Sequence, residues 1–225
     1  MAEIVARPCT PIDTVLLTHK ALRTEATRIE KLVRDMEEGG SLQPFNLAFN
    51  AWAMALVFHA EQENKYLLDH LNHYGEASGG DSGGLPSQPP SKNGSNPLVM
   101  EVRAAMVAQE EELHQKMVEK IEEVLSVLQD DIGSTSVIRR TIQHLYRQIV
   151  ALRIALENHL DTEEALVLPR IEENLDEPQQ LLLAENLLTD SDSEDPRWMI
   201  EWVSERLTPE DRTAFLALDK SFAKP

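Results

Sequence analysis

The sequence has few of the residues on which disulfide-stabilised and membrane-spanning proteins depend. It contains a single cysteine, Cys9, which can form neither an intramolecular disulfide nor a thiolate metal site. A reducing compartment, the cytoplasm, is therefore expected. No run of about 18 uncharged apolar residues is present, so no transmembrane helix is predicted. The N-terminal residues show neither the basic segment nor the apolar run of a secretory signal.

Aromatic residues and glycines are also scarce. Aromatic residues make up 5% of the 225 positions, and nine positions are glycine. Runs of β-branched residues are short, which disfavours a large sheet. The composition therefore predicts an all-α protein, and the length allows one full hydrophobic core with an appendage.

Basic residues are far fewer than acidic residues. The chain has 21 Lys and Arg against 39 Asp and Glu, which gives a formal net charge of −18. A field of this sign repels phosphate backbones and anionic lipids, so we expect neither nucleic acid nor a membrane as a partner. It attracts metal cations only weakly and without specificity.

Four segments show the apolar spacing of three and four residues that marks one face of a helix. They cover about 11–38, 44–74, 98–131 and 137–174. Between the second and third, residues 75–97 consist mostly of Gly, Ser, Pro and Asn, which predicts a flexible loop. The pattern predicts an antiparallel up-down four-helix bundle over residues 1–175. Its fourth stripe of apolar positions ends His159, Glu163, Leu166.

Residues 176–225 form a C-terminal helical appendage in this interpretation. Thr208-Pro209-Glu210-Asp211 has the hydroxyl cap, proline and acids of a helix start. Trp198 and Trp202 are four residues apart, and we expect them to pack the appendage on or beside the bundle. A protein partner that binds through this appendage is a hypothesis from position alone.

Each of the four apolar stripes contains a histidine. Two stripes also carry a glutamate four residues later, in the motifs His59-x-x-x-Glu63 and His159-x-x-x-Glu163, and the other histidines are His19 and His114. Residues four apart lie on the same face of a helix. Counting residues from the predicted connections between helices puts the four histidines at similar heights along the bundle axis. The exception is the pair His114 and His159, whose distances from their connection differ by about seven residues.

A metal centre explains polar residues at these apolar positions. Neutral imidazole binds iron, copper, nickel and zinc, and carboxylates prefer harder ions. Two carboxylates from facing helices can each bridge two ions and leave two histidines for each ion. This mixed set of nitrogen and oxygen donors fits two iron ions best, with manganese or zinc as alternatives.

The pattern resembles the hemerythrin-like (HHE cation-binding) family over about residues 11–175. The stretch HLDTEEALVLP is similar to the family signature H-x-x-x-E-E-x-x-L-x-P, including Glu164 and Pro169. The resemblance implies a four-helix bundle with a non-haem di-iron centre. It makes His19, His59, His114 and His159 terminal ligands, and Glu63 and Glu163 bridging ligands.

One position departs from the oxygen-carrying hemerythrins. Their third helix carries HxxxH, whereas His114 is followed at the fourth residue by Val118. The remaining set of ligands is similar to that of the sensing and repair branches of the family. Glu110 can supply the missing ligand or be an ordinary helix-surface acid, and both interpretations stay open.

These features predict a module that binds or senses O₂, NO or peroxide, or that reports iron or redox status. The alternatives are a di-iron enzyme with oxidase, peroxidase-like, NO-handling or iron-repair activity, an iron-storage protein, and a site that is vestigial or holds zinc for stability alone. An enzyme needs a proton donor at the centre. Tyr66 and Tyr146 are the tyrosines of the bundle away from its loop, and neither is predicted to face the centre. Binding is therefore favoured over catalysis.

Overall fold

The computed structural model describes residues 10–68, 97–130 and 139–222, with side chains from residue 101 to 128 in the second range. Within these ranges the regular secondary structure is helical and contains no strand, as the composition predicts. None of the helices in these ranges combines the length and the apolarity needed to cross a membrane.

Four long helices follow the four periodic segments. They are α1 (Asp13–Arg34), α2 (Gln43–Gln62), α3 (Pro97–Asp130) and α4 (Arg139–Thr162). Helix α1 ends at Arg34, before the predicted boundary at residue 38, and the chain then turns at Gly39, which adopts a positive φ of 82°. The predicted loop, 75–97, lies outside the described residues except for Pro97, which begins α3.

A π-helical segment follows α2 and another follows α4, and each begins at the glutamate of an HxxxE motif. The first spans Glu63–Leu67, and the second spans Glu163–Val167 and leads into α5 (Leu168–Asn174). The wider turn shifts the buried face by one residue. The prediction that Leu166 points inward is therefore wrong: Leu166 is 47% exposed, and Val167 is fully buried in its place.

The long helices pack around two hydrophobic clusters. Helix α1 contacts α2 and α4, while α3 contacts α4 and α2. The larger cluster includes Leu22, Leu56, Met117 and Leu156. The smaller cluster, near the π-helical segments, is built from Ile12, Val15, Leu67, Leu68, Val107, Val167, Leu168, Ile171, Leu175, Leu183 and Leu187. Along each long helix, a buried histidine lies between residues of the two clusters.

The C-terminal helices α6 (Glu177–Leu188), α7 (Trp198–Ser204) and α8 (Pro209–Phe222) pack on the long helices. Helix α6 contacts α1, α2 and the first π-helical segment, while α7 and α8 contact α1. The ring of Trp198 lies 5.2 Å from that of Phe58. The predicted helix start is confirmed, because the hydroxyl of Thr208 accepts a hydrogen bond from the backbone N–H of Asp211.

Candidate metal centre

The structure brings all six predicted ligands into one buried layer between the two hydrophobic clusters. None is more than 4% exposed. The ring centroids of His19 and His59 are 5.2 Å apart, and those of His114 and His159 are 4.5 Å apart. The mismatch expected for His114 and His159 is not seen in the structure, because their rings are in contact. Residues 131–138, which connect α3 and α4, lie outside the described residues.

The carboxylate of Glu63 lies at the centre of this layer. Its Oε1 is 2.9 Å from Nε2 of His59 and 3.9 Å from Nε2 of His19. Its Oε2 is 3.1 Å from Nε2 of His114 and 3.2 Å from Nε2 of His159. The two oxygens of one carboxylate therefore face two different pairs of histidines.

Two groups of donor atoms share Glu63, and each group could hold a metal ion. The first group contains His19, His59, Glu63 and Glu163, and the second contains Glu63, His114 and His159. Within each group the donor atoms lie within 4.8 Å of one another. Oε2 of Glu163 is 3.2 Å from Nε2 of His19 and 3.8 Å from Nε2 of His159, so it stands closer to the first group.

Each π-helical segment supplies two consecutive side chains to the centre. Glu63 points inward, while the next residue, Asn64, has its Oδ1 2.8 Å from Nδ1 of His114 on α3. Glu163 points inward in the same way, and Oε1 of Glu164 lies 2.8 Å from Nδ1 of His19 on α1. π-Helical turns are frequent at functional sites, because they re-aim side chains within a helix.

Glu110 contacts a third histidine, His159, at the ring nitrogen that faces away from the centre. It is 2% exposed, and its Oε2 lies 3.0 Å from Nδ1 of His159. The structure therefore places this carboxylate outside the two donor groups and away from the helix surface. When Nδ1–H of each supported imidazole donates to its oxygen, Nε2 is left as the electron-pair donor that faces the centre.

Six polar atoms of the layer have no hydrogen-bond partner of acceptable geometry. They are Nε2 of His19, His59 and His159, Oε1 of Glu63, and both carboxylate oxygens of Glu163. An unsatisfied buried polar group costs about 1–3 kcal/mol, and native proteins contain few of them. Imidazole nitrogens and carboxylate oxygens that converge on one volume are the donors a metal cation needs, so the residues fit a metal.

The charges in the layer depend on burial and on Glu63. Burial and the charge of Glu63 raise the pKa of Glu163 to about 7. Burial opposes ionisation of Glu63 too, but the four histidines hold its pKa well below the usual range. Burial lowers the pKa of His59 to about 4. Burial also acts to lower the pKa of His159, but its contacts with Glu110 and Glu63 outweigh this and raise it to about 10. Burial acts to lower the pKa of His19 as well, but its carboxylate neighbours raise it, so without metal the protons on His19 and His159 balance the carboxylates.

Two features connect the layer with its surroundings. Arg23 donates to Glu164, with Nη1 2.6 Å from Oε1, and also contacts Glu157 and Asp161. Burial acts to raise the pKa of Glu164, but the bonds from His19 and Arg23 outweigh it and lower that pKa to about 2.

Beside His59, a small cavity is lined by Val15, Thr18, Leu187 and Leu188, so residues of α1 and α6 close this side of the layer.

The other histidines and tyrosines take no part in the layer where the structure describes them. His144 is exposed and contacts Gln148, and Tyr146 has its hydroxyl 3.4 Å from Glu30. The supporting roles of Asn64, Glu164 and Arg23 were not predicted from the sequence. The position of the first two directly after an inward-facing glutamate was the available signal.

Comparison of the chain with protein-family models, with curated proteins and with solved structures found no match. The case for a function therefore comes from the geometry of the buried layer.

Proposed function

We propose that this chain holds two non-haem iron ions in a hemerythrin-like, antiparallel four-helix bundle, and that it binds or senses a small molecule through them. The observation that carries the proposal is the carboxylate of Glu63, whose two oxygens face two different histidine pairs. A carboxylate in this position can bridge two cations about 3.5–4 Å apart. A single ion would leave one histidine pair without a partner.

The arrangement of the helices supports the bundle. Each of α1, α2, α3 and α4 contributes one histidine to the layer, and α2 and α4 lead directly into the two glutamates. Metal sites in four-helix bundles are formed in this way, by side chains that project inward from facing helices.

The donor set favours iron over the other common metals. Structural zinc sites are usually closed tetrahedra, often built with cysteine, whereas this layer offers four imidazoles and two carboxylates. Magnesium and calcium prefer oxygen alone, and imidazole combined with carboxylate suits iron. Manganese and zinc are the competing outcomes of the test below.

A small, uncharged molecule fits the surroundings of the centre best. Bound iron would supply redox chemistry and coordination positions open to O₂, NO or peroxide. The second donor group contains only three residues, so the chain leaves positions for such a ligand. Val15, Leu187 and Leu188, together with Thr18, line a small cavity beside His59, and this mostly apolar lining disfavours a charged substrate.

Binding or sensing is favoured over catalysis by the contacts of the donor atoms. Among the described residues, the inward-facing donor atoms make polar contacts only with one another. The hydroxyl that lines the cavity beside His59, that of Thr18, donates to the backbone oxygen of Thr14, so it is not positioned to deliver a proton to a bound molecule, which an oxidase, peroxidase-like or NO-handling enzyme would need.

The test is reconstitution with Fe(II) under anaerobic conditions, followed by metal analysis and optical spectra before and after O₂ or NO. We expect two irons per chain and a new near-ultraviolet or visible band that reverses when the ligand is removed. His59→Ala should lose iron, while His144→Ala, which changes an exposed histidine, should keep it. Absence of iron binding, or one zinc with a featureless spectrum, would contradict the proposal. Rapid turnover of peroxide or NO would instead establish an enzyme.

A further inference from the structure

We propose that the two metal positions fill in order, and that buried Glu110 is the positioning residue that allows the second position to fill. The proposal rests on the binuclear centre of the proposed function and adds an unequal role for its two halves. Position 1 is the group of His19, His59, Glu63 and Glu163, and position 2 is the group of Glu63, His114 and His159.

The two positions differ in the number of donors and in charge. Position 1 has four donor residues, of which two are carboxylates, while position 2 has three, of which one is the shared carboxylate. Glu163 does not compensate for this difference, because its Oε2 is 3.2 Å from His19 but 3.8 Å from His159. A divalent ion is therefore held by fewer bonds and less negative charge at position 2, so position 1 should fill first.

Glu110 supplies position 2 with the charge that it lacks. Its carboxylate is 2% exposed, and its Oε2 lies 3.0 Å from Nδ1 of His159. Within the described ranges, its one charged contact is this histidine, and no Lys or Arg neutralises it. A buried carboxylate is costly unless a positive charge lies beside it. Once Nε2 of His159 gives up its proton to bind an ion at position 2, the charge of that ion supplies the positive charge through the imidazole.

The two histidines of position 2 have different hydrogen-bond partners, so a second substitution can be used to restore metal binding at this position. His114 is backed by the neutral amide of Asn64, at 2.8 Å, and His159 by the carboxylate of Glu110. If the charge behind the imidazole controls affinity, a carboxylate placed behind His114 should replace one lost behind His159. The double variant Glu110→Gln with Asn64→Asp makes this exchange.

The experiment is an anaerobic titration with Fe(II) alone against a competing chelator, which resolves the two binding steps by affinity and by metal content per chain. Wild type should bind two ions in two steps, the second weaker. Glu110→Gln keeps the size and an acceptor oxygen but removes the charge, so the second step should weaken by about 10–100-fold while the first changes little. Adding Asn64→Asp should recover part of the second step, because residue 64 is exposed and solvent weakens the effect of its charge. Glu111→Gln, an equal charge change at an exposed neighbour, should behave as wild type.

Three results would overturn the inference. They are two steps of equal affinity in wild type, an unchanged second step in Glu110→Gln, and equal weakening of both steps without recovery in the double variant. In each case the proposed function survives, because wild type still binds two ions. If wild type binds no iron, the proposed function fails together with this inference. Thermal unfolding of each variant in chelator identifies a variant that does not fold, and the double variant then tests the same point.

Discussion

Removing the charge of Glu63 or of Glu163 should move the stability of the metal-free protein in opposite directions. Oxygens of Glu63 lie 2.9 to 3.2 Å from Nε2 of three histidines, and the histidines hold its pKa well below the usual range despite its burial. Burial and the charge of Glu63 raise the pKa of Glu163 to about 7. Folding therefore favours the ionised form of Glu63 and the protonated form of Glu163.

The expected size of each change follows from these environments. Glu63→Gln leaves buried imidazoles without their counter-charge, which should cost about 3–5 kcal/mol. For a chain of this size, about 1 kcal/mol corresponds to roughly 2–4 °C in melting temperature, so the expected loss is roughly 6–20 °C. Glu163→Gln resembles the protonated acid. An acid whose pKa is raised by folding stabilises the protein below its unfolded pKa and loses this contribution as the pH rises through the folded pKa.

Glu163→Gln should therefore have the same free energy of unfolding as wild type near pH 4.5. At pH 7 its free energy of unfolding should be higher by up to about 3 kcal/mol, because folding raises the pKa of Glu163 in wild type from 4.5 to about 7. The assay is thermal unfolding followed by circular dichroism at several pH values, with chelator present. Glu61→Gln, at an exposed position on α2, is the control and should change little. Equal melting temperatures of the two variants at pH 7, or a lower one for Glu163→Gln, would refute this description of the layer.

The remaining predictions concern metal uptake and the C-terminal helices. Affinity for Fe(II) should rise between pH 6 and pH 8 by roughly tenfold per pH unit for each proton that the metal displaces. The protons are those of His159, whose pKa is raised to about 10, and of His19, whose pKa is also raised. An affinity that does not change with pH in a competition titration would contradict this. Metal removal should speed amide hydrogen exchange in α6 more than in α8, because α6 covers His59; equal changes would argue against the contact. Leu187→Ala should quicken the reaction of the iron-loaded protein with NO in stopped-flow mixing, whereas Leu182→Ala, at an exposed position on α6, should not.

The proximity of the six histidine and glutamate side chains could be predicted, because it depends mainly on helix periodicity. Spacing of three and four residues identified the four long helices and placed His19, His59, His114 and His159 on their inward faces. A histidine or glutamate at an apolar position is costly unless it has a partner, and that cost pointed to a shared cluster. The structure brings these residues together, and their role as metal ligands stays a prediction.

The finer features could not be predicted, because they depend on packing between helices. A π-helical turn differs from an α-helical turn by a single residue and has no local sequence signal, so Leu166 was predicted at the position that Val167 occupies. The role of Glu110 depends on how α3 is rotated relative to α4. The sequence left ligand and surface acid open for this residue, and its carboxylate supports His159 instead.

X-ray absorption at the iron edge of the reconstituted protein tests the shared role of Glu63 most directly. The account predicts a first shell of nitrogen and oxygen at about 2.0–2.2 Å and a second iron within about 4 Å, with two irons per chain. Glu63→Gln should lose the iron–iron feature, while Glu61→Gln should keep it. A first shell without any iron–iron scattering in the fully loaded wild-type protein would contradict a binuclear centre.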